Sequence, residues 1–258
     1  MIKTGLCSIS FRKHAPREIA GWAKEAGLNG IEWGGDVHVP HGDAATAEEV
    51  GRMTRELGLA TPSYGSYYRL GKSVEEGLAF EKVLDSAVRL GAKTIRIWPG
   101  TQNAEYVKSE DRKKMILEAR QISELAAKAG LTVAMEWHGG TLTSTNPSAV
   151  DFLREVGHAA FETYWQPPLY QTPDYCLEGL DAVLKQVRHL HVFNWYPTSS
   201  DHSTLADGEG HWSRYLAAFS KAPLPGEHYA FLEHVHGESH EGLLTEAKTL
   251  SAWVKKYS

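Results

Sequence analysis

Residues 127–140 read AKAGLTVAMEWHGG. The alanine-rich start is typical of a helix, Gly130 supplies the left-handed residue that ends many helices, and LTVAME is a short apolar run typical of a strand. The same order of helix, glycine and strand recurs at four other places, namely Gly27, Gly58, Gly91 and Gly157. A repeating helix-to-strand unit predicts a parallel sheet covered by helices.

Eight strand-like runs alternate with eight helix-like stretches. The strands are expected near residues 3–9, 29–34, 59–65, 93–98, 131–137, 159–166, 188–194 and 228–235. The helices are expected near 16–26, 45–57, 74–90, 109–129, 146–156, 174–187, 211–220 and 239–256. Eight such units with right-handed crossovers close into a (β/α)8 TIM barrel, so we predict a single α/β domain over residues 1–258. An open doubly wound sheet is the main rival, but its glycine-rich nucleotide motifs are missing.

Composition narrows the choice of partner and compartment. The 258 residues carry a net charge of −5, and no block of Lys or Arg predicts binding to nucleic acid or to a membrane surface. A small molecule is the expected partner, and a homo-oligomer remains open. Cys7 and Cys176 suggest no disulfide framework, and MIKTGLCSIS lacks the apolar core of a signal peptide. We therefore expect a cytoplasmic protein.

Acidic and imidazole side chains collect where the later strands end. Because strand residues alternate between the barrel interior and the helices, Glu136, Gln166, His191 and Glu233 can all point into one mouth. Two carboxylates about 4 Å apart repel by roughly 4 kcal/mol at an effective dielectric near 20. A divalent cation would neutralise that repulsion. A shared proton, or a cation such as Arg96, is an alternative.

Other side chains near the strand ends are candidates for binding a substrate. We expect such contacts from Trp33, His38, Arg96, His138 and Trp195. Indole rings stack on the C–H faces of sugars, and imidazoles hydrogen-bond to hydroxyl groups. Arg96 has a second interpretation, since it can instead form an ion pair with Glu32 inside the barrel.

The order of these motifs resembles the xylose isomerase-like superfamily of barrels, within it the sugar phosphate isomerase/epimerase group that includes ketose 3-epimerases and hydroxypyruvate isomerase-like proteins. The resemblance covers nearly the whole chain. The segments that carry it are GIEWGGDVHVPHGD, AMEWHG, YWQP, HVFNW, LADGEGHW and FLEH. The resemblance implies a TIM barrel that binds one divalent metal ion. The expected ion is Mn²⁺, and Mg²⁺, Co²⁺ and Zn²⁺ are the alternatives.

By this resemblance the metal ligands fall on Glu136, Gln166, His191 and Glu233. The group carries an Asp where this chain has Gln166, which keeps a carbonyl oxygen but removes one negative charge. The epimerases also carry a substrate-binding His where this chain has Leu169. The metal preference and the substrate are therefore not transferable from the group.

The chemistry that follows is proton transfer next to a carbonyl group. Removing that proton from a sugar gives an enediolate, and a metal ion stabilises its oxyanion. With Glu136 and Glu233 as the acid/base pair, we expect an isomerase, acting as a sugar epimerase or an aldose-ketose isomerase. Two alternatives stay open. One is a lyase that uses the same site on an oxidised sugar, and the other is a non-catalytic barrel that binds sugars.

Overall fold

Eight parallel strands close into a barrel in this computed structural model, which describes residues 1–196, 198 and 200–257. The strands are β1 (Ile2–Cys7), β2 (Gly30–Gly34), β3 (Ala60–Arg69), β4 (Thr94–Trp98), β5 (Thr132–Glu136), β6 (Phe161–Trp165), β7 (Val187–Val192) and β8 (His228–Leu232). Each strand pairs with its neighbours in sequence, and the pairing of β1 with β8 completes the ring. The predicted (β/α)8 barrel is confirmed.

Eight α-helices cover the outside of the barrel. They are α1 (Pro16–Glu25), α2 (Ala44–Glu56), α3 (Phe80–Leu90), α4 (Ser109–Lys128), α5 (Asn146–Val156), α6 (Pro173–Val183), α7 (Glu209–Phe219) and α8 (His240–Tyr257). The third helix begins six residues later than predicted, because residues 70–77 form turns. Gly91 ends α3 with φ at +84°, as the glycine pattern predicts. Among the helices described, none has the length and apolar character needed to cross a membrane.

The apolar core lies in two places. Most of it fills the space between the strands and the helices, and this layer includes Met135, Trp137 and Trp165. A smaller cluster fills the barrel interior and consists of Ala134, Tyr164, Tyr229 and Phe231. Large aromatic side chains therefore close the middle of the barrel and form a base on which polar groups at the strand ends rest.

A buried carboxylate joins α8 to the long loop after β7. Glu246 is 6% exposed, and its Oε1 accepts a hydrogen bond from the backbone N–H of Leu205 at 3.2 Å. Burial raises the pKa of Glu246 to about 7, against the lowering effect of the backbone hydrogen bonds. The folded protein therefore binds a proton at Glu246 more tightly than the unfolded chain does, and its stability falls as pH rises from about 4.5 to about 7.

We expect Glu246→Gln to stabilise the protein at pH 8 by about 2 kcal/mol and to have little effect at pH 5. The amide keeps an oxygen for Leu205 but carries no charge to be desolvated. Urea unfolding at both pH values measures the difference, with Glu49→Gln on the exposed face of α2 as the matched control. An equal change in free energy at pH 5 and pH 8 would contradict this account of Glu246.

Candidate metal centre and active site

A large cavity of about 1160 Å³ opens at the carboxyl ends of the strands. Its walls come from the segments that follow β1, β3, β4, β5, β6, β7 and β8. The carboxyl end is where barrels of this type place their reactive groups. The predicted residues Arg96, Glu136, His138, Gln166, Trp195 and Glu233 all line this cavity.

Four polar side chains from consecutive strands meet around one imidazole nitrogen. Nδ1 of His191, on β7, lies 3.2 Å from Glu136 Oε1 and 3.3 Å from Glu233 Oε2. The same nitrogen lies 3.0 Å from Gln166 Oε1. Glu136 is the last residue of β5, while Gln166 and Glu233 directly follow β6 and β8. The four side chains converge because the alternation along the strands directs each of them into the barrel, as predicted from the sequence.

This arrangement fits a divalent cation. The oxygens of two carboxylates and one amide, together with an imidazole nitrogen, are acceptable ligands for Mn²⁺, Mg²⁺ or Zn²⁺. Ligands on adjacent corners of an octahedron with bonds of about 2.1 Å lie roughly 3.0 Å apart. The three distances around Nδ1 are close to that separation. Glu136, His191 and Glu233 each offer a ligand atom within 4.8 Å of the others.

A third carboxylate faces the other nitrogen of the same imidazole. His191 Nε2 lies 3.3 Å from Glu32 Oε1, on β2, although the two are not aligned as a hydrogen bond. Metal-binding histidines commonly use their second nitrogen to contact a carboxylate, which leaves the first nitrogen as an unprotonated ligand. Glu32 therefore supports Nδ1 as the ligand atom.

Arg96 on β4 ties the two sides of this cluster together. Its Nε donates to Glu32 Oε1 at 2.8 Å, and its Nη1 donates to Glu136 Oε2. The side chain is 1% exposed, so both ion pairs are buried. Gly65 leaves room for them, because a Cβ there would lie 2.8 Å from Arg96 Nη2 and 2.9 Å from Glu32 Oε1. Arg96 forms the ion pair with Glu32 that its second interpretation gives, and it also lines the cavity, where its contact with a substrate stays a prediction.

The charges of the cluster do not cancel. Glu32, Glu136 and Glu233 contribute three negative charges and Arg96 contributes one positive charge, all at buried positions. Burial raises the pKa of each carboxyl group. Arg96 opposes this effect for Glu32 and Glu136, and His191 opposes it for Glu233. The opposing effects are larger, so the pKa values of all three carboxyl groups lie below their ordinary values. Burial lowers the pKa of His191, but Glu233 and Glu32 hold it well above its ordinary value. Two net negative charges remain when His191 is neutral, and one remains when it is protonated; a divalent cation would compensate them in either case.

Aromatic side chains form the walls above the cluster. His138 stacks on Trp98 with ring centres 4.7 Å apart, and the indole N–H of Trp98 donates to Glu136 Oε2. On the other side of the barrel, Trp195 packs on His234 with ring centres 4.2 Å apart. All four line the cavity. The walls therefore present flat faces on opposite sides of the space above the cluster.

Two predicted substrate contacts lie outside the cavity. Trp33 is fully buried, and its indole N–H donates to Thr54 Oγ1 on α2, so it faces the helices. The reason is strand alternation, since its neighbour Glu32 takes the inward face. His38 is 4% exposed and its Nδ1 lies 2.9 Å from Ser8 Oγ. Both side chains have structural contacts instead, which corrects the prediction for Trp33 and His38.

The sequence did not single out Tyr67. Tyr67 lines the cavity with φ at +56°, an unusual backbone conformation for a non-glycine residue. The register of β3 against β4 shifts between Gly65 and Tyr68. This irregularity turns the tyrosine ring over Arg96, at 4.8 Å from its guanidinium carbon. The bulge interrupts the alternation along the strand, so no regular pattern in the sequence predicts it.

The family model for xylose isomerase-like TIM barrels matches residues 20–255 of this chain. The chain belongs to this family. The match covers every strand except β1, and the resemblance in the sequence motifs is confirmed.

Named proteins similar to this chain include a 3-dehydroshikimate dehydratase from Bacillus anthracis, 29% identical over 173 residues. That alignment covers 61% of this chain and spans 59% of the relative's length. The crystal structure of the probable 3-DHS dehydratase of petrobactin synthesis from Bacillus anthracis superposes with a TM-score of 0.76 at 20% identity, over 97% of this chain and 99% of that one. The crystal structure of a xylose isomerase-like barrel from Mycobacterium smegmatis, in complex with magnesium, superposes with a TM-score of 0.74 at 15% identity, over 100% of this chain and 98% of that one.

These comparisons correct the expected reaction class. We predicted an isomerase, but the curated relative is a dehydratase, which is a lyase. The residue pattern could not separate the two classes, because both begin with removal of a proton next to a carbonyl group.

We expect Gln166→Glu to tighten Mn²⁺ binding by at least tenfold. The change keeps the length of the side chain and adds a charge next to His191 Nδ1, where Gln166 Oε1 now lies at 3.0 Å. Competition with a chromophoric chelator measures the dissociation constant. Gln171→Glu, exposed in the same loop, adds the same charge outside the cluster and serves as the control. Equal affinities for the two variants would show that Gln166 is not a ligand.

Metal binding should release a proton. The raised pKa of His191 keeps its imidazole protonated near neutral pH, and a ligand nitrogen must be unprotonated. Below that pKa we expect Mn²⁺ affinity to rise about tenfold for each pH unit. Calorimetry in buffers of different ionisation enthalpy counts the protons released. An affinity that does not change between pH 6 and pH 8 would be inconsistent with a charged His191.

Proposed function

We propose that this protein is a metal-dependent lyase that removes water from a small polyhydroxylated carbonyl compound, in the manner of a 3-dehydroshikimate dehydratase. One observation carries the proposal. A buried cluster of three carboxylates, one guanidinium and one imidazole, in which negative charge is in excess, lies on the floor of a 1160 Å³ cavity, in a chain similar to a curated dehydratase.

The expected cofactor is one divalent cation held by Glu136, Gln166, His191 and Glu233. Mn²⁺ and Mg²⁺ both suit a site with mostly oxygen ligands. Such a cation polarises a carbonyl oxygen and stabilises the negative charge that develops on it when the neighbouring proton leaves.

The two carboxylates that face the cavity differ in their freedom to accept a proton. Glu136 Oε2 accepts hydrogen bonds from Arg96 and Trp98, and its Oε1 faces His191. Glu233 Oε2 also faces His191, at 3.3 Å, and lies 3.7 Å from His234 Nε2, while its Oε1 accepts no hydrogen bond from any described residue. We therefore assign proton removal to Glu233 and assign to Glu136 the role of a ligand that stays ionised.

This asymmetry favours elimination over epimerisation. Epimerisation by two bases needs a second group on the opposite face of the substrate that exchanges protons as freely as the first. Glu136 is held by a buried guanidinium and an indole, which both donate hydrogen bonds to its Oε2. It is a poor second base, whereas elimination needs only one.

His138 is placed to assist the leaving group. It lines the cavity, and its Nδ1 contacts the carbonyl oxygen of Gly139, so Nδ1 carries a hydrogen and Nε2 is free to exchange a proton. In the proposed reaction Glu233 accepts the proton next to the carbonyl, a C=C bond forms, and the bond from carbon to the neighbouring hydroxyl breaks. Protonated His138 supplies the proton that completes the departing water. No oxidant or reductant is needed.

The proposal predicts that the Mn²⁺-loaded protein converts 3-dehydroshikimate to 3,4-dihydroxybenzoate, which is that substrate less one water. Aromatic absorbance follows the product, and mass spectrometry confirms the loss of water. Glu233→Gln should lower kcat at least a hundredfold, because it removes the proposed base. Glu241→Gln, at the exposed start of α8, should leave kcat unchanged.

Metal content must be measured on each variant, since Glu233 is also a proposed ligand. A variant that keeps its Mn²⁺ and loses turnover supports Glu233 as the base. A wild-type protein that binds Mn²⁺ but dehydrates neither 3-dehydroshikimate nor other hydroxylated carbonyl acids would overturn the proposal and favour a non-catalytic barrel.

A further inference from the structure

One side of the cavity carries cationic side chains that the proposed reaction does not use. Arg12 and Lys13 follow β1 directly after a 3-10 turn, Ser8–Phe11, and both line the cavity. Arg12 pairs with Asp36 and donates from Nη2 to Tyr67 Oη at 2.9 Å. Lys13 is exposed and forms no ion pair with any residue that the structure describes. The net positive charge of this wall is therefore that of Lys13.

A buried hydroxyl accompanies these cations. Ser10 also lines the cavity and is 5% exposed, and in the described part of the chain its Oγ has no hydrogen-bond partner. A buried hydroxyl without a partner costs free energy, so such groups usually have a partner in some state of the protein. The turn at Ser8–Phe11 holds Ser10 within three residues of Lys13.

The wall on the other side is apolar. The segment after β6 contributes Pro167, Pro168 and Leu169, and the segment after β7 contributes Phe193. None of these side chains can pair with an anion. Glu238, from the segment next to β1, is the acidic residue on this part of the rim, and it forms no ion pair with Lys13 or Arg12. The β1 side is therefore more favourable for a negatively charged substituent than the wall formed by Pro167, Pro168, Leu169 and Phe193.

We propose that Ser10, Arg12 and Lys13 form a carboxylate subsite, so that the substrate of the proposed lyase is an acid whose carboxylate points toward the β1 side. The inference rests on the proposed function, because it concerns the same cavity. Lys13 supplies the charge, Ser10 Oγ donates a hydrogen bond, and Arg12 offers the N–H groups not used by Asp36 and Tyr67. Pro167, Pro168, Leu169 and Phe193 on the other side offer no such partner.

Two probes test the subsite without turnover. Catechol and 3,4-dihydroxybenzoate share the same ring and hydroxyl groups and differ only in the carboxylate. Calorimetry with Mn²⁺-loaded protein gives the dissociation constant of each. We expect Lys13→Gln and Ser10→Ala each to weaken binding of 3,4-dihydroxybenzoate by about tenfold and to leave binding of catechol unchanged.

The control is Lys108→Gln, a lysine before α4 that does not line the cavity. It should change neither constant. Suppose that both probes bind the wild type, and that neither variant weakens binding of 3,4-dihydroxybenzoate more than binding of catechol. The subsite is then wrong, while the proposed function stands. If neither probe binds the metal-loaded wild type, the proposed function fails, and the subsite fails with it.

Discussion

Uncompensated negative charge at the floor of the cavity is the constraint on which the rest of the site depends. Three buried carboxylates face a single buried guanidinium, and the imidazole of His191 lies between them. Burying unpaired charge is expensive in any protein interior. A chain that keeps such a cluster needs a compensating cation, and the neighbouring ligand atoms lie at distances that suit one. The same requirement explains the raised pKa of His191, since a proton is the compensation available without a metal ion.

The barrel makes this concentration of charge possible. β2, β4, β5 and β7, together with the residues directly after β6 and β8, each deliver one side chain to the cluster, and the backbone pairing of the strands fixes the directions of those side chains. The aromatic cluster of Tyr164, Tyr229 and Phe231 lies beneath and excludes water from below. Arg96 reaches both Glu32 and Glu136 only because Gly65 has no side chain. The rigidity of the sheet, and not local loop structure, holds the ligand atoms together.

The sequence predicted those parts of the molecule in which residue types recur at a regular spacing. Helix-capping glycines located five of the eight units, and alternation along the strands placed Glu136, His191 and Glu233 on one face. The same alternation, applied to β2, would have directed Trp33 toward α2, because Glu32 and Trp33 are neighbours. Tyr67 lay beyond such reasoning, since a bulge in β3 breaks the period and gives this residue a positive φ. His38 was misjudged because its partner Ser8 comes from another strand end, a contact that only the fold reveals.

The reaction class depends on a difference that residue identity cannot show. Two glutamates at strand ends are compatible with isomerisation, epimerisation and elimination alike, because each begins by removing the same proton. What distinguishes them is how many groups remain free to exchange a proton once the cluster is assembled. Glu136 is engaged by Arg96, Trp98 and His191, whereas Glu233 keeps one oxygen without a hydrogen bond from any described residue. A site with one mobile base favours a reaction in which the second bond broken is to a leaving group, and the similarity to a dehydratase agrees with that physical argument.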